Sequence, residues 1–188
     1  MSERENILEL KNVVYSFHTY GGEVKAVRDV SYEVRQGEIL GIVGESGCGK
    51  SVTAQCILRL NPEPPGFFEG GEILYKGQDV LKMSKKEIRK IRGREIGFVF
   101  QDPMTSLNPT MRVGAQIEEV FLGRTDVSKK EVKERAMDIM RLVGISDVEK
   151  RYKQYPHELS GGMKQRVMIA IALVSRPSVI ICDEPTTS

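Results

Sequence analysis

The run Gly44-Glu-Ser-Gly-Cys-Gly-Lys-Ser51 constrains this chain more than any other feature. It fits GxxxxGK[ST], and it stands between a continuous apolar run, residues 39–43, and a helical segment that opens at Lys50. An unbroken apolar run of that length predicts a strand covered on both faces. Strand, glycine loop and helix in that order commit the chain to an α/β fold with a parallel sheet. The chemistry follows from the backbone. Glycines let successive N–H groups turn inward as an anion nest, and the helix start adds its positive dipole end. Lys50 would reach the β- and γ-phosphates of a nucleotide, and the Ser51 hydroxyl would bind Mg²⁺. A plain glycine turn capping a helix is the rival explanation, but the strand before and the helix after favour a nucleoside triphosphate site. Its candidate residues are Gly44, Glu45, Ser46, Gly47, Cys48, Gly49, Lys50, Ser51 and Val52.

The rest of the chain supports a domain built around that loop. At 188 residues it has the length of one domain, and 40% hydrophobic content is enough for a real core, which excludes a disordered or low-complexity chain. A net charge of +2 gives no electrostatic case for nucleic acid. Cys48, Cys56 and Cys182 are too few and scattered for a disulfide framework or a CxxC metal site. Cys182 reads as a small core residue. The longest apolar stretch, residues 167–174, is far too short to span a bilayer. Residues 7–14 and 26–34 alternate apolar and polar side chains as half-buried strands do, with a Gly21-Gly22 turn between them. A helix is expected over 50–60, further strands over 72–75 and 96–100, and a short helix from Ser84 to near Gly93. From 102 to 159 the signals are helical. Ser84 with Glu87 and Ser128 with Glu131 are capping boxes. Val132, Ala136, Ile139, Met140 and Val143 form one helical face, closed by Gly144 as C-cap. Ser160 caps a helix to about Ser175, and 179–182 is a last buried strand.

Two further segments carry chemistry. In Val179-Ile-Ile-Cys-Asp183-Glu184 an apolar strand delivers two carboxylates to its C-terminal end. Asp183 would hold Mg²⁺ and Glu184 would orient or deprotonate an attacking water. A solvated acidic turn would look the same in isolation; the phosphate loop upstream decides for the functional reading. Leu159-Ser160-Gly161-Gly162-Met163 opens another helix, and the free N–H groups of Ser160, Gly161 and Gly162 form a second anion-binding end. The economical reading of two such loops in one chain is that the second serves a nucleotide held by another subunit.

The phosphate loop, LSGG and the apolar-Asp-Glu strand, in that order, resemble the ATPase subunit of an ABC transporter over essentially all 188 residues. The resemblance implies a P-loop NTPase fold: a RecA-type core with a parallel sheet, an N-terminal antiparallel β-subdomain and an inserted α-helical subdomain. Residues 1–101 and 160–188 would form the β-subdomain and nucleotide-binding core, and 102–159 the helical subdomain. It also implies that Gln101 is the Q-loop glutamine, touching Mg²⁺ and the attacking water, and that Phe17 stacks on adenine, with Tyr15 and Tyr20 as runners-up. Catalysis would then rest on Glu184, Gln101 and Lys50, and the metal on Ser51, Gln101 and Asp183. ATP and Mg²⁺ are the implied ligands. A second ATPase subunit, identical or paralogous and placed head to tail, and integral membrane permease subunits are the implied partners. The chain would sit peripherally on the cytoplasmic face of the inner membrane. Asp102-Pro-Met-Thr-Ser-Leu-Asn-Pro-Thr110 and Tyr155-Pro-His-Glu158 ahead of LSGG resemble the oligopeptide, dipeptide and nickel importer branch, so peptide import is expected.

The alternatives are an ATPase of the same family that does not transport, a nucleotide-binding regulator, and another P-loop enzyme such as a small-molecule kinase. The short insert, Glu184 and Ser160-Gly161-Gly162, respectively, argue against them. The family pattern continues with a D-loop and a strand leading to a switch histidine, and neither His18 nor His157 stands in that place. The resemblance therefore implies an incomplete domain, a fragment of a longer ATPase. The strands at 39–43 and 179–182 would lack the neighbour between them, and the 188 residues alone would hydrolyse ATP weakly at best.

Overall fold

A computed structural model describes residues 5–122 and 127–185. Contacts divide the chain into two compact units, Met1–Arg89 and Lys90–Ser188.

The first unit is built on an antiparallel sheet of four strands in the order β2-β1-β3-β4. These are β1 (Asn6–Thr19), β2 (Gly22–Arg35), β3 (Gly66–Tyr75) and β4 (Gln78–Asp79). Alternation drives Leu8, Leu10, Val13 and Tyr15 of β1 into the core with Val27, Ile73 and Tyr75. The strands run longer than the sequence pattern suggests because a bulge interrupts the alternation. The β1–β2 register shifts between Leu10 and Val13. Asn12 and Asp29 both take left-handed φ, at 49° and 53°, and the Asn12 amide donates to the Asp29 carboxylate at 2.8 Å. Gly71 makes room for the bulge: a Cβ there would lie 2.5 Å from the Asn12 carbonyl. Helix α1 (Lys50–Ile57) buries Thr53, Cys56 and Ile57. It stops short of residue 60, and Arg59 has a left-handed φ of 50°.

The 39–43 run departs from expectation. It forms no strand. Ile39 is 98% and Val43 96% exposed, and Leu40 and Ile42 are exposed as well. Hydrophobicity can bury a strand but cannot make one; the backbone needs a partner for its N–H and C=O groups. No described strand pairs with these residues.

Helix α2 (Lys85–Ile91) runs in sequence from the first unit into the second. Its capping box is complete: the Ser84 N–H donates to Glu87 Oε2 at 2.8 Å and the Glu87 N–H to Ser84 Oγ at 3.3 Å.

The second unit holds a parallel pair, β5 (Ile96–Val99) and β6 (Val179–Cys182), with Ile96 opposite Val179 and Val99 opposite Cys182. Helices α3 (Pro103–Ser106), α4 (Val113–Glu119), α5 (Lys129–Leu142), α6 (Val148–Arg151) and α7 (Gly161–Leu173) belong to the same unit. Four of them meet in one core through Val113 and Ile117, Ala136 and Met140, Val148, and Val167 and Ala170. Ser128 and Ser160 cap α5 and α7 as their sequence contexts predict. Gly144 follows α5 with a φ of 77°, the conformation that ends helices. Helix α7 has two apolar faces. One joins the helical core; the other sets Met168 and Ala172 against Val99 of β5. Gly97 permits that approach, since a Cβ there would sit 2.4 Å from the Ala172 carbonyl. Cys182 is exposed, not a core residue as its apolar neighbours suggest. The side chains of so short a strand are covered only where another element lies over them, and α7 covers β5 at Val99.

Candidate functional site

The glycine loop is an exposed turn over Gly44–Cys48 that passes into α1 through half-buried Gly49, Lys50, Ser51 and Val52. Gly47 and Gly49 have φ of 80° and 99°. At Gly49 the constraint is double, because a Cβ would also lie 2.3 Å from the Ala26 carbonyl of β2. The Lys50 ammonium donates to the carbonyls of Gly44 and Glu45, both at 2.8 Å. The loop thus closes round its own lysine and holds the charge at the start of an eight-residue helix, where the dipole also favours an anion.

The aromatic residues near this loop in sequence separate by burial. Tyr15 is fully buried, edge-on to Phe17 at 5.3 Å and to Phe68 at 4.7 Å. Burial pushes its hydroxyl up to about 12, with Glu63 and Cys56 adding to the rise. It is a core residue. Tyr20 is fully exposed in the β1–β2 turn. Phe17 is half-buried and sits opposite Val24 and Gly66.

In the second unit the parallel register does the positioning. Val99 faces Cys182, so the residues just beyond the two strand ends run side by side. The Asp183 N–H donates to the Val99 carbonyl at 2.9 Å, which extends the ladder by one bond. The Asp183 side chain is buried. One residue further on, the Gln101 amide donates to Glu184 Oε2 at 2.6 Å. Two residues picked from segments 83 positions apart therefore meet. Glu184 has a φ of 46°, a conformation that costs a non-glycine residue about 1–2 kcal/mol and persists only when its surroundings enforce it.

Ser160, Gly161 and Gly162 form the exposed start of α7. Ser160 Oγ accepts from the Met163 N–H at 3.4 Å, and nothing lies within 4 Å of where a Cβ would stand on either glycine.

The sequence reading missed Gln165. It lies on α7 one turn before Met168 and is buried, and its amide donates to the Pro185 carbonyl just beyond Glu184. One signal was available: a glutamine on the helix face that otherwise carries Met168 and Ala172.

Ser51 offers a hydroxyl in the first unit, and Gln101 and Asp183 offer an amide and a carboxylate in the second. No group of three or more His, Cys, Asp or Glu among the described residues could hold a metal. Oxygen donors of this kind are what Mg²⁺ takes, one or two carboxylates beside water and phosphate oxygens.

A glycine loop entering a helix, and a parallel strand pair followed by Gln101 and by Asp183-Glu184, are features of the P-loop NTPase fold. The chain belongs to the ABC transporter family, whose model matches residues 27–187. It is similar to the oligopeptide transport ATP-binding protein OppD of Bacillus subtilis, 56% identical over 97% of this chain and 51% of that protein. It is also similar to the dipeptide transport ATP-binding protein DppD of the same organism, 50% identical over 98% of this chain and 55% of that protein. The chain spans about half the length of these curated relatives. Among solved structures, a dimeric ATP-binding cassette in a post-hydrolysis state bound to ADP and Pi superposes with a TM-score of 0.84. It is 30% identical, over 96% of this chain and 75% of that one.

Proposed function

We propose that this chain is the ATP-binding and ATP-hydrolysing part of a peptide importer. The meeting of Gln101 and Glu184 at 2.6 Å supports the reading, because a carboxylate beside an amide is a pair that can orient and deprotonate a water. The names of the relatives supply the substrate class, peptides.

In this reading the Gly44–Gly49 backbone and the Lys50 ammonium grip the β- and γ-phosphates of ATP. Phe17 stacks on the adenine. Glu184 accepts a proton from the attacking water, and Gln101 keeps that carboxylate and the water aligned. Ser51, Asp183 and Gln101 would hold Mg²⁺, which when bound would neutralise charge developing on the phosphoryl oxygens. The open start of α7, Ser160 to Gly162, binds the γ-phosphate of a nucleotide held by a second ATPase subunit. ATP then stabilises the closed pair, and hydrolysis removes the bridge and lets it reopen. Residues 102–159, between Gln101 and Ser160, are where a permease loop docks. No described helix is long and apolar enough to cross a membrane. In this reading membrane attachment is peripheral, through the permease.

The exposed, unpaired state of 39–43 bears on the 188 residues alone. The segment feeding the loop is not fixed in a sheet, and we propose that the isolated chain hydrolyses ATP far more slowly than the assembled transporter. The test is ATPase activity of the transporter in vesicles with and without peptide and its binding protein. Stimulation by peptide is expected. Turnover that ignores peptides but responds to another solute would refute the substrate class.

A further inference from the structure

We propose that Gln165 is the positioning residue that holds Glu184 in place for hydrolysis, an inference that rests on the ATPase reading above. Glu184 has a left-handed backbone that it would not adopt unaided. Two hydrogen bonds pin the chain on either side of it. Before it, the Asp183 N–H is tied to Val99. After it, the Pro185 carbonyl accepts from the Gln165 side-chain amide. With both ends fixed, the Glu184 carboxylate meets the Gln101 amide. Without the second bond the peptide after Glu184 is free to turn, the left-handed residue relaxes, and the carboxylate swings away.

The anchor is itself rigid. Gln165 lies one turn before Met168 and two before Ala172, and both of those pack against Val99 of β5. The helix that carries Gln165 is therefore locked to the strand that leads to Gln101. Packing alone does not account for a glutamine here. Gln165 is only 7% exposed, and its Oε1 is buried with no hydrogen-bond partner among the described residues. A buried polar atom without a partner is a net cost that a methionine or leucine would avoid. What the glutamine adds is the bond to the Pro185 carbonyl.

The test uses the whole ATPase assembled with its membrane partners. Gln165→Met keeps the volume and removes the donor. Gln165→Asn keeps the amide but draws it back by one methylene, and it serves if the first variant fails to fold. For either, kcat is expected to fall at least tenfold, with KM for ATP within twofold and no drop in melting temperature. In a Glu184→Gln background the same substitution should change the residual rate less than twofold, since Gln165 acts through that carboxylate. The proposal is overturned by kcat within twofold of the parent, by a loss of ATP affinity or stability matching the loss of rate, or by a tenfold loss that persists without Glu184. An unsubstituted protein with no turnover refutes the ATPase reading instead, and with it the proposal.

Discussion

Gly49 gives the phosphate loop its most exacting structural requirement, and its replacement by alanine should be costly. Two costs add. Alanine at a φ of 99° pays the left-handed penalty of about 1–2 kcal/mol. Its Cβ would then stand 2.3 Å from the Ala26 carbonyl, a backbone atom of β2 that cannot turn aside. Relieving such overpacking typically costs about 1–3 kcal/mol more. Gly47 is the built-in control, because its φ is 80° but nothing lies within 4 Å of a Cβ. Gly47→Ala should therefore lose only the first amount, roughly tenfold in ATP affinity if the loop bears the whole cost. Gly49→Ala should lose about 2–5 kcal/mol, divided between nucleotide binding and folding, and at least thirtyfold in affinity if binding bears it. Equilibrium binding of a fluorescent ATP analogue, run beside thermal unfolding, measures both shares. Gly49→Ala no worse than Gly47→Ala on the two measures together would refute the argument.

Two more predictions concern the units separately. A Cβ at Gly114 would lie 2.3 Å from the Tyr152 ring, so Gly114→Ala should destabilise the helical core by about 1–3 kcal/mol, read as a lower urea midpoint with an unchanged slope. Burial pushes the Cys56 thiol up to about 12 from an ordinary 9, against a small opposing effect of its bond to Asn61. The unfolded thiol ionises first, so Cys56 contributes stability that is intact below pH 9 and lost as pH rises from 9 towards 12. Urea titrations at pH 8 and pH 10.5 should show the decline, and Cys56→Ala should reduce its slope. Over the same range native Cys56 should resist alkylation while exposed Cys48 reacts.

Signals that are local in sequence were readable. Ser84, Ser128 and Ser160 cap helices because a side-chain oxygen three residues from an orphan N–H needs no tertiary information. Residues 179–182 form a strand as read but not a buried one, with Ile180 and Cys182 exposed, and the 96–100 strand shortens by only one residue, to Val99. What could not be read depends on partners. The 39–43 run has the composition of a buried strand but no described neighbour to pair with, so composition alone misplaced it. The Asn12 bulge hid the true length of β1 by breaking its alternation. The Gln101–Glu184 contact follows from the parallel register, which neither segment shows by itself. Gln165 escaped notice because its partner is a backbone carbonyl, and carbonyls carry no sequence signature.

In the proposed division of labour, Lys50 binds the phosphates and Glu184 acts on the water. The most direct test compares Lys50→Ala with Glu184→Gln in the complete transporter, measuring turnover and equilibrium ATP binding on the same preparations. Both should lose turnover. Lys50→Ala should also bind ATP poorly, whereas Glu184→Gln should bind it within a fewfold of the parent. Equal loss of ATP binding in the two variants would contradict the role given to Glu184.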